Sequence, residues 1–258
     1  MYIDAHAHLT DEVFTDNLKE IVSNAKDNNV ELIISCGYDI NSSIKSLDIA
    51  NNYSFIYSTF GVHPQEAPRV NEDSYTIIEN YLKDNNKIIA VGEIGLDYFY
   101  GRDEKEFQIP CFIRQLEIAK KYNFPIVVHA REAVKESIDI LHNFNLQGMF
   151  HCYSGNIEET KQLLDMGYYF GFDGPITFKK NDEITKILKY IPIDRIITET
   201  DSPYLTPTPF RGKTNQPMYI KYILEKIAEV KEIDVTEVSH HIKENTLTLF
   251  SKIQNLGK

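Results

Sequence analysis

The chain has 258 residues, 42% hydrophobic and 25% charged, with a formal net charge of −11. Its length suits one large α/β barrel, for which ~250 residues is typical, and its composition is that of a globular domain. The charge argues against non-specific coating of nucleic acid but leaves room for a local phosphate site and for cations that offset part of the acidity.

No basic flank and apolar stretch opens the chain as a signal peptide does, and no run approaches the ~20 apolar residues of a membrane span. Cys36, Cys111 and Cys152 form an odd set without a CxxC pair. Both features lead us to expect a reduced, cytoplasmic protein with no membrane association.

Short β-branched or apolar runs recur along the chain. They fall at Tyr2–Asp4, Glu31–Ser35, Phe55–Phe60, Ile88–Val91, Pro125–Val128, Met149–Phe150, Tyr168–Phe172 and Arg195–Thr198. Amphipathic stretches lie between them. Leu18, Ile21, Val22 and Ala25 follow helical spacing, as do Ile220, Ile223, Leu224 and Ile227. Asp234 followed by Glu237 reads as a variant capping box for a last helix. The helical pattern is weakest over Asn41–Asn51 and Asn181–Tyr190. Strands alternating with helices predict a single (β/α)8 barrel over residues 1–258. The rival, an open doubly wound sheet, usually carries a glycine-rich phosphate loop after its first strand. Here the first strand ends in histidines.

The reactive residues gather at the ends of the expected strands. The first leads into His6 and His8, which share a face of an extended chain because they are two residues apart. The third runs into His63, the fourth into Glu93 and Asp97, and the fifth into His129 and Arg131. The sixth ends at His151, the seventh in "FDGP", and the eighth in Glu199 and Asp201. Five of the eight histidines thus sit at strand exits, the face where barrel enzymes build active sites. Four histidines and two or three carboxylates exceed the three protein ligands of a single catalytic zinc. A pair of divalent ions uses about this number, with a carboxylate between them, and Glu93 is the candidate bridge. Imidazole with carboxylate suits Zn, Mn, Co, Ni or Fe better than an all-oxygen magnesium cage, although Mg stays among the candidates.

The strings "DAHAHL", "GVHP", "GEIGLDYF", "VVHARE", "FHCYSG" and "ETDSPYL…P…RGKTNQP" occur in this order. Together they resemble the TatD family of metal-dependent hydrolases and nucleases over essentially the whole chain. The resemblance implies a barrel in which His6, His8, Glu93 and Asp201 hold one metal, and Glu93, His129 and His151 the other. It implies phosphate contacts from His63, Arg131 and the Arg211–Lys213 loop. It also implies hydrolysis of DNA phosphodiesters, with the 3′ end of a single strand as the expected substrate. Gln216 stands where many family members carry Glu.

The expected mechanism is attack by a metal-activated water, with Asp201 orienting the water and accepting its proton. Glu199, two residues before Asp201, is expected to orient a ligand or water. Asp97 is expected to hold a basic residue such as Arg102, and Cys152 to face away from His151 as packing. His142, His240 and His241 read as solvated, as do Lys179 and Lys180, and no obligate protein partner is evident. Two other readings stay open. The same site could cleave an aminoacyl-tRNA ester or a small amide, or the chain could bind metal without catalysis. The basic segment "FRGKTNQP" favours a phosphate backbone.

Overall fold

The computed structural model describes residues 1–179 and 181–253. Lys180 and residues 254–258, included in the expectations above, lie outside the described residues. Among the described residues, eight parallel strands pair in sequence order. They are β1 (Tyr2–Ala7), β2 (Val30–Ser35), β3 (Ile56–Phe60), β4 (Ile88–Asp97), β5 (Ile126–Arg131), β6 (Gly148–Phe150), β7 (Tyr169–Phe172) and β8 (Ile196–Thr198). Between and after them run α1 (Leu18–Asp27), α2 (Ile40–Asn52), α3 (Glu72–Asp84), α4 (Lys105–Tyr122) and α5 (Val134–Leu141). The series continues with α6 (Ile157–Asp165), α7 (Asp182–Tyr190), α8 (Ile220–Lys231) and α9 (Val235–Leu249). The fold is the expected (β/α)8 barrel. Among the described residues no helix is long and apolar enough to cross a membrane.

The strands form because they are covered on both sides. All residues of β3 and β4 are buried, which is why such strands read as continuous apolar runs and not as alternation. The helices cover the outside with one apolar face each. Ile21, Val22 and Ala25 are the buried side of α1, and Ile220, Ile223, Leu224 and Ile227 belong to that of α8.

The ring closes between β1 and β8. Ala7 bridges Ser202, the Asp201 N–H donates to the His6 carbonyl at 2.9 Å, and the His8 N–H donates to the Ser202 carbonyl at 2.8 Å. The Asp4 carboxylate accepts from the Thr200 N–H at 2.8 Å and the Thr200 hydroxyl at 2.6 Å. The first and last sequence motifs are thereby stitched together.

Two strand pairs lose regular register where reactive residues sit. The β1–β2 ladder shifts between Asp4 and Ala7, around His6, and the β4–β5 ladder shifts between Val91 and Ile94, around Glu93. Such irregularities re-aim a side chain. Glycines permit this one. A Cβ on Gly92 would lie 2.7 Å from that of Val127, and Gly95 holds φ +143° with a Cβ position 2.0 Å from the His129 carbonyl.

Both weakly patterned stretches are helices. In α2 the buried face includes Ser42, Ser43 and Ser46, so apolar periodicity is faint. Their hydroxyls are satisfied internally: Ser46 pairs with Ser35 at 2.9 Å and Ser43 donates to the Gly61 carbonyl at 3.1 Å. In α7 acidic Asp182 and Glu183 open the helix and Lys189 closes it, matching the helix dipole. The cap of α9 is simpler than expected. Asp234 accepts from the Thr236 N–H at 2.7 Å, and the Glu237 side chain takes no part in a capping box.

Asn245 of α9 ties the outer layer to the entry of β8, donating to the carbonyls of Ile193 at 2.8 Å and Ile196 at 2.7 Å. Asn245→Ala leaves both acceptors short of a partner. We expect a loss of about 1–3 kcal/mol in unfolding free energy, read from the urea midpoint at unchanged slope. A shift too small to resolve would show that water replaces the amide.

Candidate metal centre

Every strand delivers a polar group to the same end of the barrel. His6 lies within β1 and His8 just beyond it, Cys36 follows β2, and His63 follows β3. Glu93 and Asp97 lie in β4, and His129 and Arg131 in β5. His151, Asp173 and Glu199 each immediately follow the last residue of a strand, or nearly so, with Asp201 two residues further on.

Six side chains converge into two donor sets that share Glu93. His6 Nε2 and His8 Nε2 are 3.3 Å apart, and Glu93 Oε2 lies 3.3 and 3.7 Å from them. Asp201 Oδ1 lies 3.8 and 3.2 Å from the same two nitrogens. On the other side, Glu93 Oε1 is 2.9 Å from His129 Nδ1 and 2.9 Å from His151 Nε2, which are 3.2 Å from each other. Donors with such spacings surround a point about 2.0–2.1 Å from each, the bond length that imidazole nitrogen makes to zinc. The first set brings together four side chains and the second three.

The outer nitrogens support the same assignment. His8 Nδ1 faces the Cys36 carbonyl at 3.1 Å, and His129 Nε2 faces Asp97 Oδ2 at 3.2 Å. His151 Nδ1 stands 3.6 Å from Glu199 Oε1, and His6 Nδ1 stands 3.3 Å from Cys36 Sγ. His8 and His129, whose outer nitrogens face a carbonyl and a carboxylate at hydrogen-bond distance, donate outward and so present a bare lone pair inward, the tautomer a metal needs. Three buried carboxylate oxygens, Asp173 Oδ2, Glu199 Oε2 and Asp201 Oδ1, have no hydrogen-bond partner. Unsatisfied buried acceptors beside inward-facing nitrogens fit divalent cations.

Electrostatics follow from this crowding. Burial alone would raise the Glu93 carboxyl, but His151, His6 and His63 hold it well below the usual carboxylate range. Burial would likewise raise Asp201, which His8 holds down. Burial opposes charge on His8, His129 and His151, yet their carboxylate neighbours raise all three: Asp201 for His8, Asp97 with Glu93 for His129, and Glu93 with Glu199 for His151. His6 is pushed down by burial and by His151. Asp173 is pushed well above the carboxylate range by burial and by the charges of Glu199 and Asp201.

His63 does two things at once. Its Nδ1 accepts from the Gln65 N–H at 3.2 Å, capping the short helical turn Pro64–Arg69. Its Nε2, 3.6 Å from Glu93 Oε1, therefore carries the proton and points into the site. Burial pushes this ring down to about 3, helped by His129, so it is a neutral donor at physiological pH.

The remaining expectations divide. Glu199 sits behind His151 and also accepts from the Cys152 N–H. Arg131 ends β5 at the rim, with its guanidinium over the ring of Phe99. Arg211 and Lys213 are exposed on the loop that follows β8 and engage that loop and its neighbours. Arg211 donates to the Thr206 carbonyl at 3.3 Å and covers Phe178, and Lys213 lies over Phe210. Asp97 does not hold Arg102, which pairs with Glu132 at 2.8 Å. It faces His129 and accepts the N–H groups of Phe99 and Tyr100. Cys152 is not a strand residue facing away. It turns in the left-handed region at φ +44°, its N–H directed to Glu199.

Asp4, Asp173 and Asn215 are functional-site neighbours that lie inside the quoted strings "DAHAHL", "FDGP" and "RGKTNQP" but are given no role of their own there. Asn215 donates to the carbonyls of Thr200 and Tyr204, bracketing Asp201, whose own φ is +53°. A non-glycine residue held there is characteristic of functional loops. Asp97 did carry a signal, because Glu93, Gly95 and Asp97 share the parity of one strand face.

Comparison with known proteins agrees with this geometry. The family model described as TatD related DNase matches residues 3–251. The uncharacterized metal-dependent hydrolase YabD of Bacillus subtilis is 38% identical over 97% of this chain and 99% of its own. The uncharacterized metal-dependent hydrolase MJ1582 of Methanocaldococcus jannaschii is 35% identical over 97% of each. The crystal structure of the TatD homolog YJJV from Escherichia coli superimposes with a TM-score of 0.92 at 26% identity, covering 97% of this chain and 98% of that one. With the whole barrel and its histidine–carboxylate cluster accounted for, the chain belongs to the TatD family of metal-dependent hydrolases.

Proposed function

We propose that this protein is a cytoplasmic deoxyribonuclease that hydrolyses phosphodiester bonds at single-stranded DNA ends, from the 3′ end, with two divalent ions. The observation that carries the reading is the Glu93 carboxylate, with one oxygen among His6, His8 and Asp201 and the other between His129 and His151. The family's description as DNase-related supports the substrate class. Three free thiols support a reduced compartment.

When bound, the ions supply Lewis acidity toward a phosphoryl oxygen and lower the pKa of a water toward neutrality. Asp201, 8% exposed at the mouth, stays ionised near neutral pH and accepts the proton of the attacking water. The His63 Nε2–H donates to a non-bridging oxygen. Asp97 keeps the ring of His129 from rotating, and Glu199 places a carboxylate behind that of His151. A duplex would press its second backbone against an acidic exterior, whereas a single strand meets only the mouth.

Elemental analysis of the gently purified protein, with titration of the apoprotein, should give two divalent ions per chain. Glu93→Gln should reduce both occupancies together. One ion per chain, or loss of only one set in the variant, would refute a shared bridge.

Asp201→Asn should lower kcat by at least about 10²-fold, since general-base assistance alone is worth about 10²–10⁴. The circular dichroism spectrum should stay unchanged, because the residue lies at the mouth and not in the packed layers. Near-wild-type turnover would remove Asp201 from the mechanism.

Time courses with end-labelled DNA should show metal-dependent shortening of single strands and slower attack on blunt duplex. Replacing Arg211 and Lys213 with Ala should raise KM and flatten the log–log salt dependence by about 0.7 per lost phosphate contact. Intact DNA alongside cleavage of an aminoacyl ester or a small amide would overturn the nuclease reading.

A further inference from the structure

Beside the metal centre, the loop after β4 presents two aromatic side chains to solvent. Phe99 is 51% and Tyr100 67% exposed. Their rings meet edge to face, with centroids 4.7 Å apart. Tyr98 is the last aromatic of this run that packs on the core, so neither Phe99 nor Tyr100 is placed for the sake of the barrel.

The loop is tied to the site by one carboxylate. Asp97 Oδ1 accepts the N–H of Phe99 at 2.9 Å and that of Tyr100 at 3.0 Å, while Oδ2 faces His129 Nε2 at 3.2 Å. The Tyr98 N–H also donates to the Arg131 carbonyl at 2.9 Å. The aromatic pair therefore keeps a fixed position relative to the ligand histidine.

Arg131 completes the group. Its guanidinium lies 3.9 Å from the centroid of Phe99 and 4.8 Å from that of Tyr100. It is two strand residues beyond His129, about 7 Å along β5. The neighbouring charges are paired with one another: Arg102 with Glu132, Lys105 with Glu136, and Lys135 with Asp139. Among the described residues Arg131 has no carboxylate at ion-pair distance, although the chain is strongly acidic. A groove of about 1140 Å³ runs on from Phe99 and Arg131 past Lys105 and Ser154.

A solvent-facing ring backed by a second ring, with an unpaired guanidinium lying over both, matches what single-stranded nucleic acid needs. Aromatic faces stack bases without regard to sequence, and arginine takes the backbone. We propose that Phe99, Tyr100 and Arg131 form a nucleotide subsite adjoining the metal centre. There Tyr100 stacks the base next to the scissile bond, Phe99 fixes the Tyr100 ring, and Arg131 binds the neighbouring phosphate. This deepens the nuclease reading and rests on it for the identity of the strand.

The test is binding, measured apart from hydrolysis. A phosphorothioate-linked DNA trinucleotide carrying 2-aminopurine is titrated into the metal-loaded wild-type protein, and stacking is read as quenching of its fluorescence. Tyr100→Leu should weaken binding about 5- to 150-fold, the range for one base–aromatic stack, and should abolish the quench. Tyr100→Trp should keep both. Tyr190→Leu, at an exposed aromatic on the far end of α7, should change neither. Arg131→Ala should lower affinity and reduce the salt slope by about 0.7. An abasic trinucleotide should bind wild type and Tyr100→Leu alike.

Equal affinity and quench in Tyr100→Leu would overturn the subsite, as would failure of the wild type to bind the trinucleotide. Binding through Tyr100 by a protein that leaves DNA intact would keep the subsite and overturn the nuclease reading. Hydrolysis of DNA with Tyr100-independent binding would do the reverse.

Discussion

Glu93 stands within β4 with both carboxylate oxygens facing imidazole nitrogens, and an ion so deeply buried is tolerated only where positive charge surrounds it. That demand organises the barrel around it. The groups around it come from β1, β5, β6 and the end of β8, because no single element could surround both oxygens. The register irregularity at Glu93 and the glycines on either side follow from the same need. A side chain on Gly92 would collide with Val127, and one on Gly95 with the backbone at His129.

A second ring of groups converts positions into orientations. Each histidine of the cluster has its outer nitrogen near a fixed neighbour: Cys36 for His6 and His8, Asp97 for His129, and Glu199 for His151. Glu199 in turn fills space that only Gly171 leaves open, since a Cβ there would approach its carboxylate to 2.7 Å. Asp97 reaches further, because the same carboxylate that steadies His129 holds the backbone of Phe99 and Tyr100. Ligand geometry and rim geometry are thus coupled through one side chain.

The barrel and the six converging side chains were legible in the sequence because strand ends are short, apolar and punctuated by the reactive residues themselves. His6, His8, Glu93, His129, His151 and Asp201 all lie within or just past a strand, where position along the chain translates into position in space. What the sequence hid depends on loops and on buried polar pairing. The helix α2 was faint because serines replace apolar residues on its inner face and bond to Ser35 and Gly61. The sequence pattern offers Asp97 a basic loop residue such as Arg102, whereas the fold gives Arg102 to Glu132. Arg211 and Lys213 lie on a loop whose path nothing in the local pattern specifies.

The same fields that shape this site make protons and cations competitors for it. Burial disfavours a charged imidazole, yet Asp201, Asp97, Glu93 and Glu199 raise His8, His129 and His151 above the ordinary histidine range. Without metal, the carboxylates favour protonation of these rings. A divalent ion has to displace those protons, because only the neutral ring offers a lone pair. The sign follows directly. Lowering pH fills the rings with protons and weakens cation binding, and raising pH through the elevated histidine values releases the nitrogens. Glu93 and Asp201, held low, remain ionised throughout that interval, so the histidines and not the carboxylates set the pH at which the centre loads.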